Sequence, residues 1–105
     1  MCFLPLAKRW SIFDEENIDR EYDTYGCYEL GDTRKEIIYI GQGRVRQRLM
    51  AHWRDVEGKP RISYYRCTYC GSKGRAIQME RVELQQYEYL NGELPLHNRI
   101  GWISP

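Results

Sequence analysis

Two short runs rich in tyrosine and β-branched residues lie on either side of a turn, and this arrangement constrains the fold more than any other feature. The first run is residues 25–30 and the second is residues 36–40. Between them, Gly31-Asp32-Thr33 has the composition of a turn. Apolar and aromatic runs joined by such a turn are typical of antiparallel strands. The pattern therefore predicts a β-hairpin, with the second strand the more buried.

Helical periodicity follows in two segments. Apolar side chains four residues apart predict a helix over residues 44–55, and a longer helix is predicted over about residues 76–90. Asn91-Gly92 directly after it is a typical helix stop. An acidic run also favours a short helix around residues 14–20, because carboxylates stabilise a helix N-terminus.

A third strand is expected over residues 61–70, and Gly41-Gln42-Gly43 is expected to end the strand before the first long helix. The fold class that follows is α/β of the α+β type: a three-stranded antiparallel sheet flanked by helices in the order ββαβα. With 105 residues, the chain is expected to form a single domain over 1–105.

The cysteines and the N-terminal segment bear on the cellular compartment. The apolar run at residues 2–7 is too short for a signal-peptide core or a membrane span. We therefore expect a cytoplasmic protein with no membrane partner, in which four cysteines do not indicate a disulfide scaffold. Cys67 and Cys70 have the spacing of half a zinc site, but no second pair follows, so structural thiols are favoured over zinc or redox use.

Charge is distributed unevenly along the chain, although the net charge is only +1. Residues 41–81 carry ten basic and three acidic side chains, whereas residues 1–40 carry five basic and nine acidic ones. Most of the central cations are arginines, whose planar guanidinium suits phosphate. This block predicts a polyanionic partner such as nucleic acid. A solvated helix face rich in arginine is the alternative.

One carboxylate occupies an unusual position on the second long helix. At about 100° per residue, the apolar side chains gather on one arc, and Glu80 falls in the middle of it. A carboxylate there is unfavourable unless it is ion-paired or binds a cation. Spacing alone leaves a structural ion pair and a metal site equally open. Glu83 lies nearer the edge of the arc and is the weaker candidate.

Polar groups on other elements could meet this carboxylate. Arg48 and His52 are four residues apart on the first long helix and share a face with Arg44. Tyr28 and Tyr39 lie in the neighbouring strands of the predicted hairpin. Each has an ordinary explanation alone, since strand tyrosines usually pack and helix arginines are usually solvated. Their convergence on one surface would instead form a catalytic site.

Five short motifs resemble those of the GIY-YIG nuclease family. They are Gly26-Cys27-Tyr28, Tyr39-Ile40-Gly41, Arg48-Leu49-x-x-His52, Ala76-x-x-x-Glu80-Arg81 and Leu94-Pro95-Leu96-x-Asn98. Their order and approximate spacing are similar to the family's, over a motif core of about residues 25–98. The resemblance implies a small GIY-YIG-like domain that hydrolyses phosphodiester bonds in DNA.

The resemblance also implies roles for single residues. Glu80 would hold one Mg²⁺ or Mn²⁺, and Arg48 would bind the scissile phosphate. Tyr28 would correspond to the tyrosine that takes the proton of the attacking water, and Tyr39 would position that water or contact the phosphate. His52 would assist proton transfer or orient water.

The remaining implied positions surround this group. Asn98 would support the site by hydrogen bonding. The candidate nucleic-acid contacts are Gly41, Gln42, Arg44, Arg46 and Arg54. Two positions depart from the family pattern: Cys27 replaces the usual aliphatic residue, and Gln42 stands where many members have lysine.

Nucleic acid is thus the implied partner, DNA rather than RNA, and a structure-specific or repair-related role suits a chain without a separate DNA-reading domain. A protein partner could supply target specificity. The alternative is a catalytically weak or inactive module of the same fold that binds nucleic acid or a protein. The nuclease interpretation requires Glu80, Tyr28 and Arg48 to meet at one open patch; Glu80 on the far side of the sheet from Tyr28 and Arg48 would exclude it.

Overall fold

The computed structural model describes residues 9–55 and 62–99, which form an α+β fold with a single antiparallel sheet. The elements in chain order are β1 (Ser11–Ile12), α1 (Glu15–Asp19), β2 (Tyr25–Gly31), β3 (Ile37–Arg44), α2 (Val45–Arg54), β4 (Tyr64–Tyr69), α3 (Lys73–Asn91) and α4 (Leu96–Arg99). The apolar run at residues 2–7 and the expected start of the third strand at Arg61 lie outside the described residues. Within the described ranges, no helix combines the length and the apolar character needed to cross a bilayer.

The sheet has four strands, in the order β1-β4-β2-β3, where the sequence predicts three. The extra strand, β1, is only two residues long and pairs with β4 through Ser11↔Tyr65 and Ile12↔Tyr64. A two-residue strand has no periodicity that a sequence pattern could reveal. The three expected strands are all present, and from Tyr25 to Asn91 the elements follow one another as strand, strand, helix, strand, helix.

Strand β3 continues through Gly41-Gln42-Gly43 to Arg44, so the expectation that the glycines end it is wrong. The ladder pairs Tyr28 with Gly41 and Gly26 with Gly43. A Cβ atom on Gly41 would lie 2.5 Å from Cζ and Oη of Tyr28. The glycine therefore leaves room for the tyrosine ring within a continuous strand, and does not mark its end.

Side-chain caps set the ends of the helices. Asp14 accepts a hydrogen bond from the Asn17 amide at 2.8 Å and starts α1 within the expected range. Ser72 caps α3, which therefore begins three residues before the expected start at residue 76. Gly92, with φ +82°, ends α3 in the left-handed conformation that the Asn91-Gly92 pair predicts.

The two long helices pack on opposite faces of the sheet. Tyr28 of β2 belongs to the apolar core with Val45 and Leu49 of α2. Cys27 alternates to the other face, where Glu83 of α3 is the largest charged influence on its thiol. The candidate site residues on β2, β3 and α2 thus lie on one face of the sheet, and Glu80 of α3 comes from the other face.

The close fit between Gly41 and the Tyr28 ring gives a direct test of this packing. We expect Gly41→Ala to lower the free energy of unfolding by about 1–3 kcal/mol, because the methyl group overpacks against the ring. Urea unfolding measures the difference.

Gly74→Ala is the matched control, since a Cβ atom on Gly74 in α3 has no atom within 4 Å among the described residues. It should leave the free energy of unfolding unchanged or raise it by up to about 1 kcal/mol. Equal effects of the two substitutions would contradict the close-approach explanation.

Candidate active site

A buried hydrogen bond between Tyr28 and His52 forms the inner part of the candidate site. The Tyr28 hydroxyl lies 2.8 Å from Nε2 of His52, and neither side chain has exposed surface. Strand β2 supplies the tyrosine, and the third turn of α2 supplies the histidine. With Nε2 unprotonated, the imidazole accepts the phenolic hydrogen, so the pair can share a proton inside the core.

Tyr39 adds a third ring and is only partly buried. Its ring centroid lies 5.4 Å from that of His52 and 6.2 Å from that of Tyr28. The Tyr28 and His52 rings are 5.6 Å apart in an edge-on arrangement. Tyr39 is thus the only one of these three rings that a molecule in solvent can contact directly.

Arg48 lies beside the second glycine of β3. The backbone of Gly43 has φ +139°, and a Cβ atom there would lie 2.9 Å from Cγ of Arg48. Position 43 therefore requires glycine for two reasons: the backbone conformation, and the space that the aliphatic part of the arginine side chain fills. The half-buried Arg48 is held against the outermost strand, on the same helix as His52.

Glu80 starts from the α3 side of the sheet but is electrostatically coupled to Arg48. Burial raises the pKa of the Glu80 carboxyl above its ordinary value, and the positive charges of Arg48 and Arg81 act against this rise. The same carboxylate contributes to the raised pKa of the Cys27 thiol on the α3 face, after burial, Glu83 and Cys70. Glu80 therefore comes from the face of the sheet opposite Tyr28, and the effect of the Arg48 charge on the pKa of its carboxyl is what links it to the site.

The helical wheel predicts that Glu80 is the most buried acidic side chain of α3, but that residue is Glu83. Ala76 and Glu83 are the buried residues of this helix, whereas Glu80 is half-buried. The small Ala76 side chain allows α3 to approach the sheet closely on that line. Several apolar residues of the arc remain partly or largely exposed, Leu90 among them. Glu80 is thus accessible at the side of the helix, which suits a ligand better than the expected central position.

Asn98 holds the outermost strand beside Tyr39. Its side-chain oxygen accepts from the Ile40 amide at 2.9 Å, and its side-chain nitrogen donates to the Ile40 carbonyl at 3.0 Å. An outermost strand has backbone groups that need such partners. The amide of Asn98 completes the hydrogen bonding of Ile40 and so fixes its two neighbours, Tyr39 and Gly41.

Comparison with known proteins bears on residues 4–86, which match the family model described as a domain of unknown function, DUF7508. The chain belongs to this family. The matched residues carry Tyr28, Tyr39, Arg48, His52 and Glu80, whereas Asn98 follows them. A search of curated proteins finds no match to the chain.

The DUF7508 domain uses a residue that the sequence analysis missed, Asp23, to anchor α2. Its carboxylate accepts from the Gln47 amide at 3.1 Å and forms an ion pair with Arg44 at 3.0 Å. Arg44 is the N-cap residue and has no side-chain capping bond of its own. Arg44 is not one of the residue types that usually cap a helix, which are Ser, Thr, Asp and Asn. This was the signal in the sequence that another segment provides the cap of α2.

The remaining candidate nucleic-acid contacts are dispersed. Gly41 is buried and Gln42 is half-buried in β3. Arg46 is exposed near the start of α2 and Arg54 is exposed at its end, about 12 Å further along the helix. Arg44 and Arg46 therefore share one end of the candidate site, and Arg54 lies away from it.

Cys67 and Cys70 interact with different groups. The Cys67 thiol lies 3.5 Å from the Glu21 carboxylate, and Cys70 acts electrostatically on Cys27, on the opposite face of the sheet. Among residues 9–55 and 62–99, no group of three or more His, Cys, Asp or Glu side chains could hold a metal ion. A metal at Glu80 would need ligands beyond the described side chains.

The raised pKa of Glu80 predicts a pH-dependent stability. The folded protein retains this proton at pH values where the unfolded chain, with its ordinary value of 4.5, has lost it. The free energy of unfolding therefore falls as pH rises through the raised pKa. We expect Glu80→Gln to be more stable than the wild type at pH 7, with a smaller difference at pH 4.

Urea unfolding of both proteins at the two pH values measures this difference. Arg48→Gln provides the companion measurement, because removing the positive charge should raise the Glu80 pKa further, as followed by carboxyl ¹³C NMR. A Glu80→Gln variant that is less stable at pH 7 than at pH 4, relative to wild type, would contradict the assignment.

Proposed function

We propose that this DUF7508 domain is a metal-dependent endonuclease of the GIY-YIG type that hydrolyses phosphodiester bonds in DNA. In this proposal β2, β3 and β4, with α2 and α3, form the three-stranded GIY-YIG core, and β1 is an addition to it. The observation that carries the proposal is the cluster of Tyr28, His52 and Tyr39, with Arg48 on the same helix as His52. The charge of Arg48 in turn lowers the pKa of the Glu80 carboxyl against the effect of burial. Four of the five motifs contribute a side chain to this group.

A single divalent cation fits the chemistry of Glu80. The carboxylate is half-buried, and its charged form is disfavoured by burial more than the neighbouring arginines favour it. A bound cation would reverse that penalty. One carboxylate suits Mg²⁺ or Mn²⁺, which keep several waters and take phosphate oxygens as ligands. When bound, the ion would stabilise the negative charge that develops on the phosphate oxygens.

Arg48 is the group proposed to stabilise the transition state from the protein side. A guanidinium offers several donors in a fixed plane and keeps its charge at any relevant pH. The contact with Gly43 limits the movement of its stem. A charge that is already in position stabilises the developing oxyanion more than the ground state.

Proton transfer is proposed to involve two phenols in different roles. The pKa of a free phenol is about 10, so a tyrosine alone is a poor base at neutral pH. With Nε2 unprotonated, His52 accepts a hydrogen bond from the Tyr28 hydroxyl and can take up its proton. Because Tyr28 and His52 are fully buried, the partly exposed Tyr39 orients the attacking water. The proton of that water passes to the Tyr28 oxygen as His52 takes up the phenolic proton.

The full burial of Tyr28 and His52 also favours a second candidate function. A site whose base cannot reach substrate water would bind nucleic acid, or a protein partner, without useful turnover. The basic residues near the start of α2 serve binding in either case. Turnover therefore distinguishes the two candidates.

Nicking of supercoiled plasmid DNA with Mg²⁺ or Mn²⁺ tests the proposal. We expect metal-dependent cutting by the wild type and a loss of at least about 100-fold in Arg48→Gln and Glu80→Gln, since each removes charge stabilisation of the transition state. Arg34→Gln, at an exposed position in the β2–β3 turn, is the control and should cut like the wild type.

Tyr28→Phe and Tyr65→Phe form a second matched pair, because both tyrosines are buried and each hydroxyl has a hydrogen-bond partner. Loss of a proton acceptor should slow cutting about 100-fold or more in Tyr28→Phe alone. Cutting that survives in Glu80→Gln and Arg48→Gln would refute the nuclease assignment. Metal-independent DNA binding without cutting by the wild type would favour the binding module.

A further inference from the structure

A cavity of about 590 Å³ lies between the sheet and the second half of α3. Ala76, in the first turns of this helix, is fully buried. Leu90 lies only about 40° from Ala76 around the helix, yet 64% of its surface is exposed. The second half of α3 therefore stands away from the sheet, and the space beneath it forms the cavity.

Apolar side chains form two opposite walls of this cavity. Ile38 and Ile40 of β3 line it on the sheet side. They alternate along the strand with Tyr39, so they face away from the candidate active site. Tyr87 and Leu90 of α3 line the helix side. Small-molecule sites in proteins are typically about 300–1,000 Å³ in volume and mostly apolar, with a few placed polar groups. The cavity has this size and this kind of lining.

Two buried carboxylates and one guanidinium supply the polar groups. Glu29 of β2 and Glu83 of α3 line the cavity and are 1% and 2% exposed. Arg66 of β4 also lines it and forms an ion pair with Glu29, with 2.6 Å between Nε and Oε1. The guanidinium carbon of Arg66 lies 4.1 Å from the centroid of the Trp10 ring, which holds it against the wall. With both carboxylates ionised, these three lining groups have a net charge of −1.

The basic side chains at the exposed edge of the cavity already contact other groups. Arg99 forms an ion pair with Glu93 at 3.2 Å. The Lys35 ammonium lies 5.2 Å from the centroid of a tyrosine ring on β4. Two carboxylates of the turn between β2 and β3 line the same edge. An anion would have to displace one of these contacts and approach the carboxylates, whereas a cation would be attracted by them.

We propose that this cavity binds a small organic ammonium ion, with its charged group beside Glu83 and its apolar body against Ile40 and Tyr87. An ammonium group that leaves water needs an anionic partner, and the attraction between the two is stronger in a partly enclosed site than in water. The Tyr87 ring adds an aromatic surface of the kind that stabilises a nearby cation. The site lies on the other face of the sheet from the Tyr28–His52 pair and does not depend on the proposed function.

Three probes that share an indole ring test the charge preference. Tryptamine carries an ammonium group, tryptophol a neutral hydroxyl in its place, and indole-3-propionate a carboxylate. We expect calorimetry to show that tryptamine binds at least about 10-fold more tightly than tryptophol, because it adds a charged hydrogen bond. The ¹H–¹⁵N amide shifts that it causes should centre on Ile38, Ile40 and Leu90. Equal affinity for the amine and the alcohol, tighter binding of the carboxylate, shifts centred elsewhere or no binding of tryptamine would each overturn the proposal.

Glu83→Gln tests the carboxylate that the proposal assigns to the ammonium group. It should reduce the preference for tryptamine over tryptophol to less than about twofold. Glu88→Gln is the matched control, because it makes the same change at an exposed position of α3 about 140° away around the helix. It should keep the wild-type preference. A preference that persists in Glu83→Gln, or that is lost equally in both variants, would contradict the assignment.

A second pair of variants leaves the buried charges intact, so it decides the question even if Glu83→Gln does not fold. Leu90→Arg places a positive charge at an exposed position that lines the cavity. It should weaken tryptamine binding at least about fivefold by charge repulsion. Val82→Arg makes the same kind of change at an exposed position of α3 that does not line the cavity, and it should bind tryptamine like the wild type. Equal affinities of these two variants for tryptamine would overturn the proposal.

Discussion

A phenol inside an apolar core must find a hydrogen-bond partner, and the partner of Tyr28 is His52. This bond links β2 to α2 in the middle of the domain. The ring reaches the imidazole only because Gly41 on the next strand has no side chain in its path. Once α2 is fixed in this way, Arg48 lies one turn earlier on the helix, against Gly43. The positions of the arginine and of the inner proton acceptor thus follow from one buried contact between a strand and a helix.

The outermost strand, β3, then determines how α3 contributes to the candidate site. Glu80 belongs to α3, on the face opposite Tyr28, yet the positive charge of Arg48 acts against the rise that burial causes in the pKa of its carboxyl. Asn98 completes the hydrogen bonds of Ile40 in that strand and keeps it in register. The arrangement has a stability cost, since a half-buried carboxylate lowers the free energy of unfolding at neutral pH. A bound cation would offset this loss of stability, which gives a functional reason for placing the Glu80 carboxylate there.

The sequence predicts the elements whose signals are local. The range of α1 and the stop of α3 at Gly92 depend on neighbouring residues and were predicted closely. The expectation that the second strand of the hairpin is the more buried was wrong, because β2 lies between β4 and β3 and is buried from Gly26 to Gly31. Strand β3 was ended too early, because the space that Gly41 leaves for Tyr28 depends on a residue in another strand. The deep position of Glu83 depends on how α3 packs on the sheet, which a helical wheel does not show. The types of the site residues could be predicted, but the burial of Tyr28 and His52 and the anchoring of α2 by Asp23 depend on the packed fold.

A crystal structure with Mn²⁺ and a short DNA duplex tests the central claim most directly, because it locates the ion and the phosphate together. We expect an anomalous manganese peak about 2.1 Å from a Glu80 carboxylate oxygen, with a phosphate oxygen sharing the ion and facing the Arg48 guanidinium. Tyr39 should lie beside the same phosphate, with the Tyr28–His52 pair behind it. Manganese and phosphate bound on another surface, with Glu80 and Arg48 contacting neither, would contradict the account.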